Sequence, residues 1–373
     1  MIAAASVMGL LAGRPRLLAL GEPTHGEETL LQLRNDLFRQ LVEQEGYRTI
    51  AIESDCLMAQ VVDDYVTTGA GDLDDVMARG FSHEWGAFPG NRDLVRWMHS
   101  HNNGRPEPDQ VRFAGFDGPL EITGAASPRQ ALTALYAYLA THVDAALLPC
   151  TAETLDELLG PDDRWPNPAA MYDPSASIGR TPEAGQLRLL ADDLMALLEA
   201  QPPDRKAFLY GRTAVGLLRY HHWMADSSPG RMARLVGQRD SMMAANLLDL
   251  ANRGPTLVAA HNSHLQRDRS TMRMGDLVEW WSAGAIVSAH LGKEYAFLAT
   301  AVGTIHHRGV DVPPADTIEG QLYARPQQSG LVDIHGLAAE KAVPRVSPWY
   351  GYAPLDPAHL PSIDGLVYVK DLR

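Results

Sequence analysis

Four short apolar runs punctuate the chain, and each carries an ionisable residue at or next to its end. They are Arg16 to Glu22 (RLLALGE), Arg48 to Ser54 (RTIAIES), Val111 to Asp117 (VRFAGFD) and Thr256 to His264 (TLVAAHNSH). Each is apolar on consecutive positions rather than alternate ones, the pattern of a strand covered on both faces. Further strands are expected in AIVSAHLG from Ala285, YAFLATAVG from Tyr295 and LVYVK from Leu366. Amphipathic stretches with helical spacing lie near 27–45, 56–67, 90–102, 128–142, 183–200, 206–225 and 232–252. Strands alternating with helices predict an α/β fold: a mixed or mostly parallel central sheet flanked by helices. From about 121 to 253 the pattern is almost wholly helical, interrupted by a Pro-, Asp- and Ser-rich stretch from Gly160 to Pro182 that reads as a long loop of the lid or binding type. The expected organisation is a core in two parts, 1–120 and 254–373, with a helical accessory region over 121–253.

Composition narrows the function. A formal net charge of −14, with basic residues scattered along the chain, disfavours nucleic acid and favours a small neutral or cationic ligand. Cys56 and Cys150 are the only cysteines, which gives no disulfide framework and no metal-knuckle spacing, and the expected compartment is a reducing cytoplasm. No basic residue precedes the apolar patch at the N-terminus, so it is not read as a signal peptide. No apolar run is long enough to span a membrane.

Chemistry concentrates in Gly21 to Leu30, GEPTHGEETL. Pro23 pushes Glu22 toward extended backbone, and Thr24 with Glu27 matches a capping box, so the segment reads as a strand-to-helix turn with His25 near the first helical position. There the helix dipole would keep the imidazole neutral, as a general base requires. Glu53, Asp117, His261 and His264 end the other runs, and in open α/β sheets strand carboxyl ends converge on one crevice. Asp117 is the weakest of these, since an Asp after a strand often only caps a turn. His83, Trp85 and Phe88 precede a helix and suit a cleft wall against a large apolar ligand, or an aromatic cluster anchoring a loop. Cys56 is more simply a buried residue than a nucleophile, and the pairs His221–His222 and His306–His307 read as packing or surface residues. The chain lacks a G-x-S-x-G elbow, a phosphate-binding loop and an H-E-x-x-H helix.

GEPTHG, the following helix with Arg34, IES around Glu53, GFD at Gly115 to Asp117, RDSMMAAN at Arg239 to Asn246 and AHNSH at Ala260 to His264 together resemble the erythromycin esterase family. The resemblance implies an α/β core whose active-site cleft is covered by a large helical region, and metal-independent hydrolysis of a macrolactone or other ester without a cofactor. It also implies Glu22, His25, Arg34, Glu53 and His261 as the catalytic set. Arg34 enters through the resemblance alone, because on an ideal helix begun at His25 it lies on the opposite face. In the resulting reading His25 takes a proton from water, Glu22 or Glu53 fixes its tautomer, and Arg34 or His261 stabilises the oxyanion; His264, Asp117, His83, Trp85 and Phe88 meet the substrate. Glu22, His25, Glu53, His261 and His264 could instead hold a catalytic metal, and a non-hydrolytic biosynthetic relative, a cyclase or acid/base enzyme, in the same cleft is a further alternative.

Overall fold

The computed structural model describes residues 2–121, 124–326, 329–332, 334, 337–347 and 349–372. The chain forms two compact units, one of residues 1–53, 58–115 and 247–373, the other of 54–57 and 116–246.

In chain order the first unit holds α1 (Ala4–Leu10), β1 (Leu17–Glu22), α2 (Glu28–Glu45), β2 (Thr49–Asp55), α3 (Ala59–Thr68), α4 (Leu73–Arg79), α5 (Pro89–Asn102) and β3 (Arg112–Asp117), the last residues of β2 and β3 belonging to the other unit. The second unit carries the short pair β4 (Leu120–Glu121) and β5 (Gly124–Ala125), then α6 (Arg129–His142), α7 (Ala152–Leu159), α8 (Pro182–Glu199), α9 (Arg205–Met224) and most of α10 (Arg231–Ala251). Returning to the first unit, the chain adds β6 (Thr256–His261), α11 (Asn262–Leu265), the hairpin β7 (Arg269–Met274) and β8 (Asp276–Trp281), α12 (Ala283–Leu291), β9 (Tyr295–Ile305), α13 (Ile318–Tyr323), β10 (Ser329–Val332) and β11 (Gly365–Leu372).

Seven strands make one sheet in the order β10-β11-β9-β1-β6-β2-β3. β1 runs parallel to both β6 and β9, β6 to β2, and β9 to β11, while β10 is antiparallel to β11. The expected mixed, mostly parallel sheet is therefore present. Its continuous apolar runs follow from cover on both faces: all eleven residues of β9 are buried. On one face Leu18, Leu20, Ile50, Ile52 and Leu257 join Val7, Leu37, Phe38, Val62 and Leu94 of the helices in a single core. Each such side chain contributes about 1.5–3 kcal/mol by leaving water.

Two expectations need correction. The run from Ala285 is not a strand: Ala285 to Leu291 belongs to α12, which Gly292 closes and whose start is capped by Ser282 Oγ accepting from Ala285 N at 3.0 Å. An apolar run of this length fits a buried helix as well as a buried strand, and the serine cap decides. β6 ends at His261, and His264 lies in the helical turn α11 rather than on the strand.

The second unit is a helical assembly. Leu132, Leu135, Leu187, Leu194 and Leu218 of α6, α8 and α9 share a core with Cys56. Residues 160–181 form three 3-10 turns, pinned where Trp165 Nε1 donates to Leu159 O at 3.0 Å and Arg231 Nη1 to Met171 O at 2.8 Å. Cys56 is buried beside Thr213, and burial pushes its thiol up to about 12, which suits a packing residue. His221 is buried too, lowered to about 4 by burial, with its ring against Trp165.

Candidate active site

β1 and β6 end side by side, with Glu22 in register with His261. β2, next to β6, brings Glu53 to the same edge of the sheet. Gly21 is required there because a Cβ would lie 2.2 Å from Asn262 Oδ1.

The turn after β1 differs from a capping box. Gly26 has φ +77, which no helix tolerates, so α2 begins at Glu28 with Glu27 as N-cap, and Thr24 makes no cap. His25 therefore stands before the helix and outside its first turn. Its Nδ1 lies 2.8 Å from Glu22 Oε1, and since a carboxylate only accepts, Nδ1 carries the proton and Nε2 the lone pair in the neutral ring. Nε2 lies 3.8 Å from Glu53 Oε2. Burial pulls the His25 pKa down, but the charge of Glu53 and the hydrogen bond and charge of Glu22 outweigh it and set it above the ordinary 6.5. Two carboxylates, rather than a helix dipole, control this ring. The side chain is 35% exposed, so solvent reaches it.

Glu53 is nearly inaccessible, at 3% side-chain exposure. Its Oε2 accepts from His261 N at 2.9 Å, and its Oε1 lies 3.4 Å from His264 Nε2. His261 is held at both nitrogens. A carbonyl only accepts, so Nε2 donates to Pro23 O at 3.2 Å, and Nδ1 accepts from Ser263 Oγ at 2.6 Å and from Ser263 N at 3.2 Å. Burial and the neighbouring His25 charge lower its pKa to about 3, so it is a neutral ring whose N–H is committed to the turn. The His25 and His261 rings are 5.3 Å apart between centroids.

Arg34 is the nearby cation. Arg34 lies on the buried side of α2 with Leu30, Leu37 and Leu41, 5% exposed, and because α2 starts at Glu28 the nine-residue spacing from His25 no longer sets their relative direction. Its Nε and Nη2 donate to Asn35 Oδ1 at 3.1 and 2.9 Å, and Nη2 donates to Asn91 Oδ1 at 2.8 Å. Nη1 makes no hydrogen bond among the described residues. Burial lowers this guanidinium to about 10 against the charges of Glu22 and Glu28, so it stays positive at neutral pH.

Trp85 stacks at a tilt on His25, with centroids 4.9 Å apart, and His83 stands 5.8 Å behind Trp85. His83 and Glu84 adopt φ +56 and +58, a strained pair of left-handed residues that delivers Trp85 to the ring. Phe88 lies under the turn, where a Cβ on Gly26 would approach its Cζ at 2.9 Å. Glu22, Gly26, Arg34, Trp85, Phe88 and Asn91 line a recess of about 270 Å³.

Asp117 behaves differently from the other strand ends. Its carboxylate is inaccessible and is gripped by Arg239 Nε and Nη2 at 3.0 and 2.6 Å while accepting from Gly118 N at 2.8 Å, within the second unit. Those bonds make it a structural anchor of that unit, and the expected substrate contact has no support in its geometry. Sequence reasoning missed Asn35, Asn91 and Ser263. The only hint of Asn91 was its place just after Pro89 at a helix start, since a neutral amide leaves no charge pattern. Among the described residues no group of three or more His, Cys, Asp or Glu is arranged to hold a metal ion.

Fold and site define a class: an α/β protein with an imidazole between two carboxylates at the carboxyl ends of parallel strands, backed by a buried arginine. A family profile described as erythromycin esterase matches residues 42–359, and the chain belongs to that family. Membership supports an esterase-like hydrolase acting on a small molecule. The Gly21 to Gly26 turn precedes the matched stretch, so its place rests on geometry. Three solved structures are similar in fold: a Bacillus cereus protein (TM-score 0.70, 17% identity, 95% of this chain and 88% of that one), a succinoglycan biosynthesis protein (0.68, 16%, 98% and 89%), and a histidine-to-asparagine mutant of the erythromycin esterase EreC in its open conformation (0.69, 16%, 98% and 92%). No helix among the described residues is long and apolar enough to cross a membrane.

Proposed function

We propose that the protein hydrolyses a cyclic or other carboxylic ester with a water activated by His25, without a metal. The observation that carries the reading is the His25 ring, fixed through Nδ1 on Glu22 at 2.8 Å, with its basic nitrogen on the side of Glu53. In this mechanism Nε2 removes a proton from water as the oxygen attacks the ester carbonyl. Glu22 holds the tautomer, and Glu53 stabilises the imidazolium that forms. The oxyanion of the tetrahedral intermediate is placed on Arg34, because its Nη1 makes no hydrogen bond among the described residues whereas the N–H of His261 is spent on Pro23. Collapse breaks the C–O bond, and the proton on Nε2 passes to the departing alkoxide. The product of a cyclic ester is one hydroxy acid, heavier by one water. His261 and His264 act as positioning residues around Glu53, and Trp85 with Phe88 forms the apolar wall.

The test is a panel of macrolactones and simple esters followed by mass spectrometry for the gain of one water. With the best substrate, His25→Asn is expected to lose about a hundredfold to ten-thousandfold in kcat while keeping the wild-type circular dichroism spectrum. Near wild-type turnover by folded His25→Asn excludes the mechanism.

A further inference from the structure

A second recess lies in the first unit, apart from the one beside Arg34, and at about 630 Å³ it is larger. Its floor is apolar, made by Phe297 and Ala299 of β9 with Leu360 and Ile363 of the chain before β11. Its polar side chains are the hydroxyls of Ser263 and Thr271, the amides of Asn262 and Gln266, the His359 imidazole and the Asp356 carboxylate, and no lysine or arginine is among the described residues that line it. Asp356 uses Oδ1 to accept from Ala358 N at 2.9 Å and has no ion-pair partner among the described residues. An apolar floor edged by one exposed carboxylate, with no basic residue beside it, favours an apolar molecule bearing a cation.

Two walls of this recess hold His261. Ser263 Oγ bonds its Nδ1 at 2.6 Å. Ala353 N donates at 2.8 Å to Pro23 O, the same carbonyl that accepts from His261 Nε2. The strap carrying Ala353 is fixed further along, where Leu355 N donates to the buried Glu319 at 2.9 Å. A ligand that displaces the Ser263 hydroxyl or the strap must alter a hydrogen bond of His261, which stands 5.3 Å from His25.

We propose that this recess is a second ligand pocket, for a molecule with an apolar ring or chain and a protonated amine, and that its occupancy is transmitted to His261 through Ser263 and the Ala353 strap. Binding stands apart from the hydrolytic reading; only an effect on turnover rests on it. The molecule is a separate effector, since the recess lies apart from the one beside His25 and reaches it only through Ser263 and the strap.

Histidine side-chain ¹⁵N NMR of the full chain, titrated with cyclohexylammonium and separately with cyclohexanol, tests the pocket without requiring catalysis. Saturable binding of both is expected, with the ammonium tighter by about three- to fivefold, the increment of a largely exposed ion pair, and with a shift of the His261 nitrogens. Asp356→Asn keeps the cap on Ala358 and should remove the preference while leaving the alcohol bound. Ser263→Ala should retain binding and lose most of the His261 response. Thr271→Trp, on an exposed strand, should block both probes. Absence of saturable binding, or a preference that survives in Asp356→Asn, overturns the pocket; a full His261 response in Ser263→Ala overturns the transmission. With an active ester in hand, a non-competitive effect of cyclohexylammonium on turnover that is lost in Asp356→Asn supports the effector reading, and a purely competitive effect that survives in Asp356→Asn overturns it.

Discussion

Replacing Gly26 by alanine tests the turn that carries His25. The backbone there has φ +77, a conformation that costs an L-residue about 1–2 kcal/mol. The new Cβ would also lie 2.9 Å from Phe88 Cζ and 3.2 Å from Cε1, and such overpacking adds about 1–3 kcal/mol. Gly46 provides an internal control. It closes α2 at φ +67, but a Cβ there meets only the flexible end of Arg14, at 3.2 Å. Gly46→Ala should therefore lose only the backbone term, about 1–2 kcal/mol, and Gly26→Ala should lose about 2–5 kcal/mol. Urea denaturation of both variants at constant m measures the difference. Adding Phe88→Ala should recover the contact term of Gly26→Ala and nothing of Gly46→Ala. Turnover offers a second readout: moving His25 by about 1 Å costs about a hundredfold, so Gly26→Ala should be slow even where it is fully folded, while Gly46→Ala keeps its rate. Equal losses of stability in the two variants, with unaltered turnover in Gly26→Ala, would refute the reasoning.

Three more expectations follow from the site. His25 must be neutral to act, and its pKa is raised by Glu53 and Glu22 against burial, so kcat/KM should rise with pH through an apparent pKa above 6.5. Glu53→Gln should move that limb to lower pH and reduce kcat; a limb that does not move assigns the titration to another group. Exhaustive EDTA dialysis should leave activity unchanged, whereas loss restored by Zn²⁺ or Mn²⁺ transfers the mechanism to a metal. Trp85→Ala should raise KM and lower kcat together, because the ring both lines the recess and packs on His25, and Trp85→Phe should recover kcat more than KM.

Strand ends were the legible part of this chain. A continuous apolar run closed by Glu22, Glu53 or His261 reads as a buried strand with a polar tip, and parallel pairing brings such tips to one edge however far apart they lie in sequence. The turn after Glu22 was harder, since Thr24 and Glu27 satisfy a capping pattern while Gly26 takes a left-handed φ that the pattern does not announce. That single dihedral takes His25 out of the helix, so helical spacing from His25 says nothing about where Arg34 lies. Asp117 shares the strand-end pattern of Glu53, and only the position of Arg239, 122 residues away, shows that its charge is already used. Asn35 and Asn91 hold Arg34, and Ser263 holds the neutral His261 ring; such uncharged partners leave no periodicity or charge signature to read.

Asn91 has a bearing on how this enzyme could be re-engineered. It is fully buried, and one face of its amide accepts from Arg34 while the other donates to the backbone carbonyl of Trp85 at 2.9 Å. A library that reshapes the loop around Trp85 to admit a different ester therefore also pulls on the arginine assigned to the oxyanion. Selectivity and rate should prove epistatic in such a library: improved variants should carry compensating changes along α2 or at the start of α5, and loop changes transplanted without them should bind the new ester while turning it over slowly.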